Sequence, residues 1–326
     1  MRASTAARAA LLPPLLTRAD LAAAGLDTDV ALRAVRSGKW SVVLPGAWTR
    51  RGGEVTRRER QEAALALLGD GAALTGPDAC AAHGMRDVPG GPVAVLVAHG
   101  VRRDLGPDVR IVRTTATVPV MQLRGLPAVA PVRAVLDACW QQPLQHVRAL
   151  VLAAVADGWV DVSEFEQLVD EGPRRGSAAV RRAVLDAHRG ARSAPEAELA
   201  DVLVAAVRRG HLPPFLLNPE LLLDGKPVVT PDAYLVGLGV GGEMDCVRHH
   251  ASARALDSTL LRHDRATRAG IELHHVTPSR FRSDPQVYVD RLREAVAGRR
   301  QLTVPEPPGL VVVRHGPLLP AISCRR

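Results

Sequence analysis

The spacing of apolar positions changes along the chain, and each change marks an element. Residues 5–24 carry apolar side chains at helical spacing interrupted at Pro13-Pro14, which predicts two short helices. The second opens at Thr17 with Asp20 three residues on, a capping box with Leu16 and Leu21 placed as a hydrophobic staple. Gly25 stops it, and Asp27 or Thr28 caps a helix over about 28–37. That helix puts Val30, Ala31, Ala34 and Val35 on one side, with Arg33 and Arg36 sharing the other. After Gly38, the run KWSVVLPGAWTRRGG holds two short β-rich stretches around Pro45-Gly46 and reads as a hairpin.

The middle of the chain mixes both periods. An amphipathic helix covers 57–68, and TGPDACAAHGM starts a second at Thr75 and stops it at Gly84. PVAVLVAH and VRIVRTT are strands, 131–140 and 144–157 are helices, and SEFEQLVD opens another with a capping box. EGPRRGS is a linker-like break before a helix that runs to His188. His83 and His99 stand alone and read as structural groups.

From Ser193 the order becomes αβββαβα. SAPEAELADVLVAAVRRG is a helix with Pro195 in its first turn, where a missing N–H costs nothing. FLLNPELLL and VVTPDAYLV are strands joined by a turn at Asp224-Gly225-Lys226, and GEMDCV is a third. A helix over about 251–268, the strand IELHHV and a helix over about 285–298 complete the set. The tail is proline-rich and reads as an irregular appendage with one short strand-like run.

Composition narrows the classes. The chain is 47% apolar, which excludes disorder for most of its length. Cys80, Cys139, Cys246 and Cys324 are scattered, which fits a reducing compartment and not a disulfide framework. No run of about 20 apolar residues exists to span a membrane. Arg8 and Pro13-Pro14 interrupt the N-terminal apolar stretch, so the expectation is a cytoplasmic protein. Of the +8 net charge most lies early: residues 1–60 hold 11 basic and 5 acidic side chains. A local positive excess is the footprint of a polyanion partner, or else a solvated surface.

Helix, glycine turn, helix and hairpin follow one another as in a winged helix-turn-helix, whose second helix enters the major groove while the wing meets phosphates. A three-helix structural module would share that pattern. On the DNA-binding reading, Arg33, Arg36 and Lys39 lie on or just past the recognition helix, and Arg50 and Arg51 lie past the hairpin.

Strand parity sets Thr230, Asp232 and Tyr234 on one face, and Glu243 and Asp245 on one face of theirs. If the two strands pair, Asp232 faces Glu243 across the ladder. Carboxylates so gathered repel unless a cation sits among them. Magnesium is one occupant, held by Asp232 and Glu243 and able to activate water; Arg248, Arg262 or Arg265 is the alternative neutraliser.

This order resembles the PD-(D/E)xK nuclease core, and more closely the small bacterial domains similar to very-short-patch-repair endonucleases. The matching residues are Ser193 with Glu196, Pro231 with Asp232, Glu243 with Asp245, His249 or His250, and Arg262 with Arg265, over about 193–298. The resemblance implies Glu196, Asp232, Glu243, Asp245 and His249 as catalytic residues. The usual lysine position holds Asp245; Lys39 belongs to another domain and Lys226 to a hairpin turn, so His249 or His250 would be the base. Residues 5–190 resemble the AbiEi-type antitoxins of type IV toxin–antitoxin systems, through LLTRADLAAAGLDTDVALRAVRSGKWSVVLPGAWTR and the elements after it. That implies operon repression through double-stranded DNA, and a cognate toxin as partner.

The expected fold is mixed α/β (α+β). It comprises a winged helix-turn-helix over 1–56, a middle α/β antitoxin-like domain over 57–190, a restriction-endonuclease-like αβββαβα core over 191–300, and the tail 301–326. Two functions stand: a DNA-binding regulator with a nuclease-like domain, or an active magnesium-dependent DNA endonuclease. A third reading is zinc held by Cys246, His249, His250, His263, His274 and His275, with Cys246-x-x-His249 as its ligand pair.

Overall fold

The structure is a computed structural model that describes residues 8–9, 11–86, 88–245 and 253–320, with the side chains of 253–259 outside the description. It is a mixed α+β chain that divides into two compact units at Gln142/Pro143. The expected middle domain, 57–190, is therefore split. Residues 143–190 belong with the C-terminal elements, joined to them by apolar packing of Leu152 and by an ion-pair network. Arg148 reaches Asp186 at 2.8 Å and Asp201 at 2.6 Å, tying this stretch to the helix after Ser193.

In the first unit, β1 (Leu15–Thr17) runs directly into α1 (Arg18–Ala23), followed by α2 (Thr28–Arg36), β2 (Ser41–Leu44) and β3 (Ala47–Thr49). The Thr17/Asp20 capping box forms as the sequence indicates, and the Asp27 carboxylate caps α2. The strand β1 has no sequence signal of its own. It exists because β3 offers it a partner, giving an antiparallel sheet in the order β1-β3-β2. Leu12, Leu16, Leu21, Leu26, Ala31 and Trp48 close the core beneath it.

The rest of this unit comprises α3 (Arg57–Leu68), β4 (Ala73–Leu74), α4 (Gly76–His83), β5 (Val93–Ala98), β6 (Val109–Thr114), β7 (Val120–Leu123), β8 (Leu126–Val129) and α5 (Pro131–Ala138). Its five-stranded sheet runs β6-β5-β4-β8-β7. Thr75 precedes α4 but gives it no side-chain cap; its hydroxyl donates to Asp137 at 2.5 Å. Buried Asp78 accepts two 2.9 Å bonds from Arg57, fastening α3 to α4. His83 meets the Val129 carbonyl at 2.9 Å, in keeping with a structural role. Cys80 and Cys139 are buried and free, and burial pushes the Cys80 thiol up to about 12.

The second unit opens with α6 (Leu144–Ala156), α7 (Val162–Glu171), α8 (Ala178–His188) and α9 (Ala194–Arg208). Asp161, two residues before the expected Ser163, caps α7. Then come β9 (Phe215–Leu217), β10 (Glu220–Leu223), β11 (Lys226–Val229), β12 (Ala233–Leu235), β13 (Val240–Met244), α10 (Ala253–Arg268), β14 (Glu272–Val276), α11 (Pro278–Ser283), α12 (Pro285–Arg300) and β15 (Leu310–Val313).

Each of the first two expected strands is thus broken in two, and the pieces enter different sheets. FLLNPELLL breaks at Asn218, whose φ of +47° turns the chain, and VVTPDAYLV breaks at Pro231-Asp232. One sheet runs β14-β13-β12-β9, with β13 and β14 parallel; the other runs β11-β10-β15. The tail is therefore no appendage. β15 completes the second sheet against β10, and Glu306 accepts hydrogen bonds from the Tyr234 hydroxyl at 2.6 Å and the Gly237 N–H at 3.0 Å.

Parity assigns the faces of the four-stranded sheet. Ala233, Leu235, Val240 and Met244 join α9 and α12 in the larger core. Tyr234 and Ile271 face the opposite way, with Ala266 of α10 and Leu221, Val228 and Val229 of the second sheet. Gly242 makes room for Tyr288: a Cβ there would lie 2.6 Å from its hydroxyl, which donates to the His274 carbonyl at 2.8 Å. Gly242→Ala is expected to cost about 1–3 kcal/mol through this overpacking. Urea unfolding measures it, and a midpoint unchanged from wild type would contradict the assigned packing.

Candidate active site

One end of the four-stranded sheet gathers the polar residues. The ladder pairs Ala233 with both Leu217 and Gly242, and continuing it by one residue sets Asn218, Asp232 and Glu243 side by side. The parallel ladder pairs Glu243 with His275. Asn218, Asp232, Glu243 and His275 thus form a row across all four strands. Residues opposite one another share a face, so the Asp232–Glu243 juxtaposition expected from parity is present.

Glu196 reaches this row from the start of α9. Its carboxylate accepts from the Ser193 hydroxyl (2.8 Å), the Arg192 N–H (2.8 Å) and the Asn218 amide (2.7 Å). Asn218 is the link that sequence reasoning missed. Its backbone N–H also donates to the Asp232 carbonyl at 3.2 Å, fastening the helix start to the sheet end. An Asn-Pro pair inside an expected strand carries no signal for that role.

The electrostatics follow from crowding. Burial, then the charges of Glu196 and Glu243, hold the Asp232 carboxyl well above the ordinary carboxylate range, against the pull of the Met244 N–H and Arg262. That N–H donates to Asp232 at 2.6 Å. Burial raises Glu243 as well, opposed by Arg262, whose guanidinium lies 3.3 Å away. Glu243 is 5% exposed, and its Oε1 has no hydrogen-bond partner among the described residues. A buried acceptor left unpaired costs about 1–3 kcal/mol or more.

Beyond the carboxylates stands a histidine pair. Asp245 accepts from His275 Nδ1 at 3.0 and 3.1 Å, which leaves a lone pair on His275 Nε2. That nitrogen meets Nε2 of His263 on α10. Burial, then the neighbouring His275, lowers the pKa of His263. Asp245 steadies the charge when this pair takes up a proton, so the pair is a proton acceptor independent of lysine.

The structure therefore brings together Glu196, Asp232, Glu243 and Asp245. His249, with His250, Cys246 and Arg248, lies outside the described residues. Lys226 is exposed at the start of β11 in the other sheet and takes no part. The zinc reading changes too: His263 and His275 converge, but His274 points away to Glu272 at 2.9 Å. Among the described residues no group of three or more histidine, cysteine or carboxylate side chains is arranged to hold a metal ion.

In the first unit Arg33, Arg36 and Lys39 are exposed, with no acidic partner among the described residues. Arg50 and Arg51 differ from the expectation of free phosphate contacts. Arg50 donates to the Leu12 carbonyl, and Arg51 binds Glu59 through two bonds, at 3.0 and 2.5 Å. Burial would raise Glu59, but hydrogen bonds from Thr56, Arg51 and Thr49 outweigh it and bring its carboxyl to about 2. Both guanidiniums are thus engaged within the chain.

No helix among the described residues is long and apolar enough to cross a membrane. No family model matches the chain, and no curated protein does. Among solved structures, the crystal structure of the RV2827C protein from Mycobacterium tuberculosis is similar over 54% of this chain and 71% of that one. The identity is 19% and the TM-score 0.38, a likeness that carries no functional argument.

Proposed function

We propose that the chain binds double-stranded DNA through a winged-helix module in its first unit and carries a magnesium-dependent, nuclease-like centre in its second. The observation that carries this reading is the row Asp232–Glu243–His275, in which one buried carboxylate oxygen has no partner among the described residues. Asp232 and Glu243 are the residues that would hold Mg2+, a hard ion suited to carboxylate oxygens. Bound there, the ion would polarise the phosphate and lower the pKa of a water. Glu196 and Asn218 fix the position of the Asp232 strand, and the Asp245–His275–His263 chain accepts a proton from the attacking water.

The test is cleavage of plasmid DNA by the purified full chain in magnesium, against an EDTA control. Asp232→Asn, by removing a metal ligand, and His275→Ala, by removing the positioned general base, should each lower the rate by about 100-fold or more. No magnesium-dependent cleavage above background by the wild type would overturn the reading.

A second reading, an AbiEi-type autoregulator with a cognate toxin as partner, is favoured by one contact. Arg262 already neutralises part of the cluster at 3.3 Å from Glu243, so the second unit would bind nucleic acid without cutting it. In both readings the first unit binds DNA. Arg33→Ala and Arg36→Ala should each weaken binding, with the salt slope falling by about one per lost phosphate contact. Arg50→Ala and Arg51→Ala should leave that slope unchanged, because their guanidiniums serve the chain itself. Equal effects at all four positions in a salt titration would contradict this division.

A further inference from the structure

Beside the carboxylates, a cavity of about 500 Å³ opens at Asp245 and His275 and is walled by α11 and α12. Its lining is out of charge balance. Asp245 is engaged with His275, and the Asp284 carboxylate caps α12 by accepting the Gln286 and Val287 N–H groups at 3.1 and 3.3 Å. The two arginines of the lining, Arg280 and Arg291, have no acidic partner among the described residues. Both are exposed, and the recorded side-chain bond of the pair is a 3.3 Å one from Arg291 to the His275 carbonyl. A cavity whose acids are satisfied and whose arginines are not lacks an anion. Guanidinium forks match phosphate oxygens, and several hundred Å³ is the volume of a nucleotide and not of a bare ion.

We propose that Arg280 and Arg291 form a subsite for a nucleoside phosphate, holding the phosphate next to the one presented to Asp232, Glu243 and His275. This deepens the nuclease-like reading by assigning the residues that seat the substrate strand. The same chemistry could come from a free nucleotide or from one unit of a nucleic-acid chain.

The experiment uses the full chain in EDTA, so that it is independent of metal and cleavage. The probes are a 5′-phosphorylated thymidine dinucleotide, the unphosphorylated dinucleoside phosphate and thymidine monophosphate, titrated by calorimetry. The phosphorylated dinucleotide should bind best, and Arg280→Gln and Arg291→Gln should each weaken it by about tenfold, the loss of one charge-assisted contact. Lysine at either position should restore part of the affinity. Thymidine monophosphate binding as tightly as the dinucleotide, with the same arginine dependence, would support the phosphate site and name a free nucleotide as its ligand. Equal binding of all probes, or affinity unchanged in both glutamine variants, would overturn the proposal. Both substitutions are on exposed side chains, and circular dichroism confirms folding. Absence of cleavage by the wild type would overturn the nuclease reading alone, because this binding is measured without metal.

Discussion

Replacing Arg148 with methionine is expected to destabilise the second unit by about 3–5 kcal/mol, the cost of breaking a buried ion pair from one side. Arg148 is 5% exposed on α6 and holds two aspartates, Asp186 of α8 and Asp201 of α9. Methionine keeps the bulk of the stem and removes the charge, so Asp186, 1% exposed, loses its closest cation. Arg182, at 3.3 Å, and Arg189, at 3.6 Å, remain near it but do not replace the 2.8 Å bond. Adding Asp186→Asn should recover part of the loss, because the stranded charge accounts for much of the penalty. Urea unfolding of the two variants measures this. A single-variant cost below about 1 kcal/mol, the scale of an exposed pair, would show that the network does not join the helices.

The same network explains what the sequence concealed. Local signals were readable: Thr17 with Asp20, Asp27 before α2 and the helix from Ser193 all act within one turn. Parity was readable too, since Asp232 and Glu243 needed only two strands to pair. What failed to show was set at long range. Arg148 and Asp201 are 53 residues apart, and nothing local in either residue marks α6 and α8 as neighbours of α9. β10 finds β15 some 90 residues later, so the tail looked irregular until its partner was in place.

The candidate site divides along the same line. The pair His274-His275 cannot be resolved by period, because consecutive residues point to opposite faces of a strand. Only the parallel register with β13 selects His275, placing it beside Glu243 and leaving His274 to Glu272. Arg50 and Arg51 show the converse. Their position past a hairpin suggested phosphate contacts, whereas the Leu12 carbonyl and Glu59 decide what their guanidiniums do.

Asp232→Asn should separate the electrostatics of the site from its fold, and it should stabilise the protein at neutral pH while removing its response to magnesium. The amide keeps an oxygen to accept the Met244 N–H that Asp232 accepts at 2.6 Å. It removes one of the charges that Glu196 and Glu243 repel. The sign follows from linkage. Asp232 and Glu243 have folded pKa values raised above those of the unfolded chain, so the folded state binds more protons. Their contribution is therefore fully present below about pH 4, the unfolded carboxylate range, and is lost as pH rises through the raised values. The wild-type Tm, corrected for the background measured on the variant, should fall as pH rises above the unfolded carboxylate range. At pH 8 the variant should melt higher by about 2–6 °C, the shift produced by one or two kcal/mol in a unit of this size. Magnesium should raise the wild-type Tm more at pH 8 than at pH 5, where protons compete for the same oxygens. It should leave Asp232→Asn unchanged. Parallel pH curves for the two proteins would mean that the carboxylates are not in electrostatic conflict. A magnesium response that survives in the variant would place the ion elsewhere. Differential scanning calorimetry across this pH range, with and without the ion, reads all of these outcomes in one series.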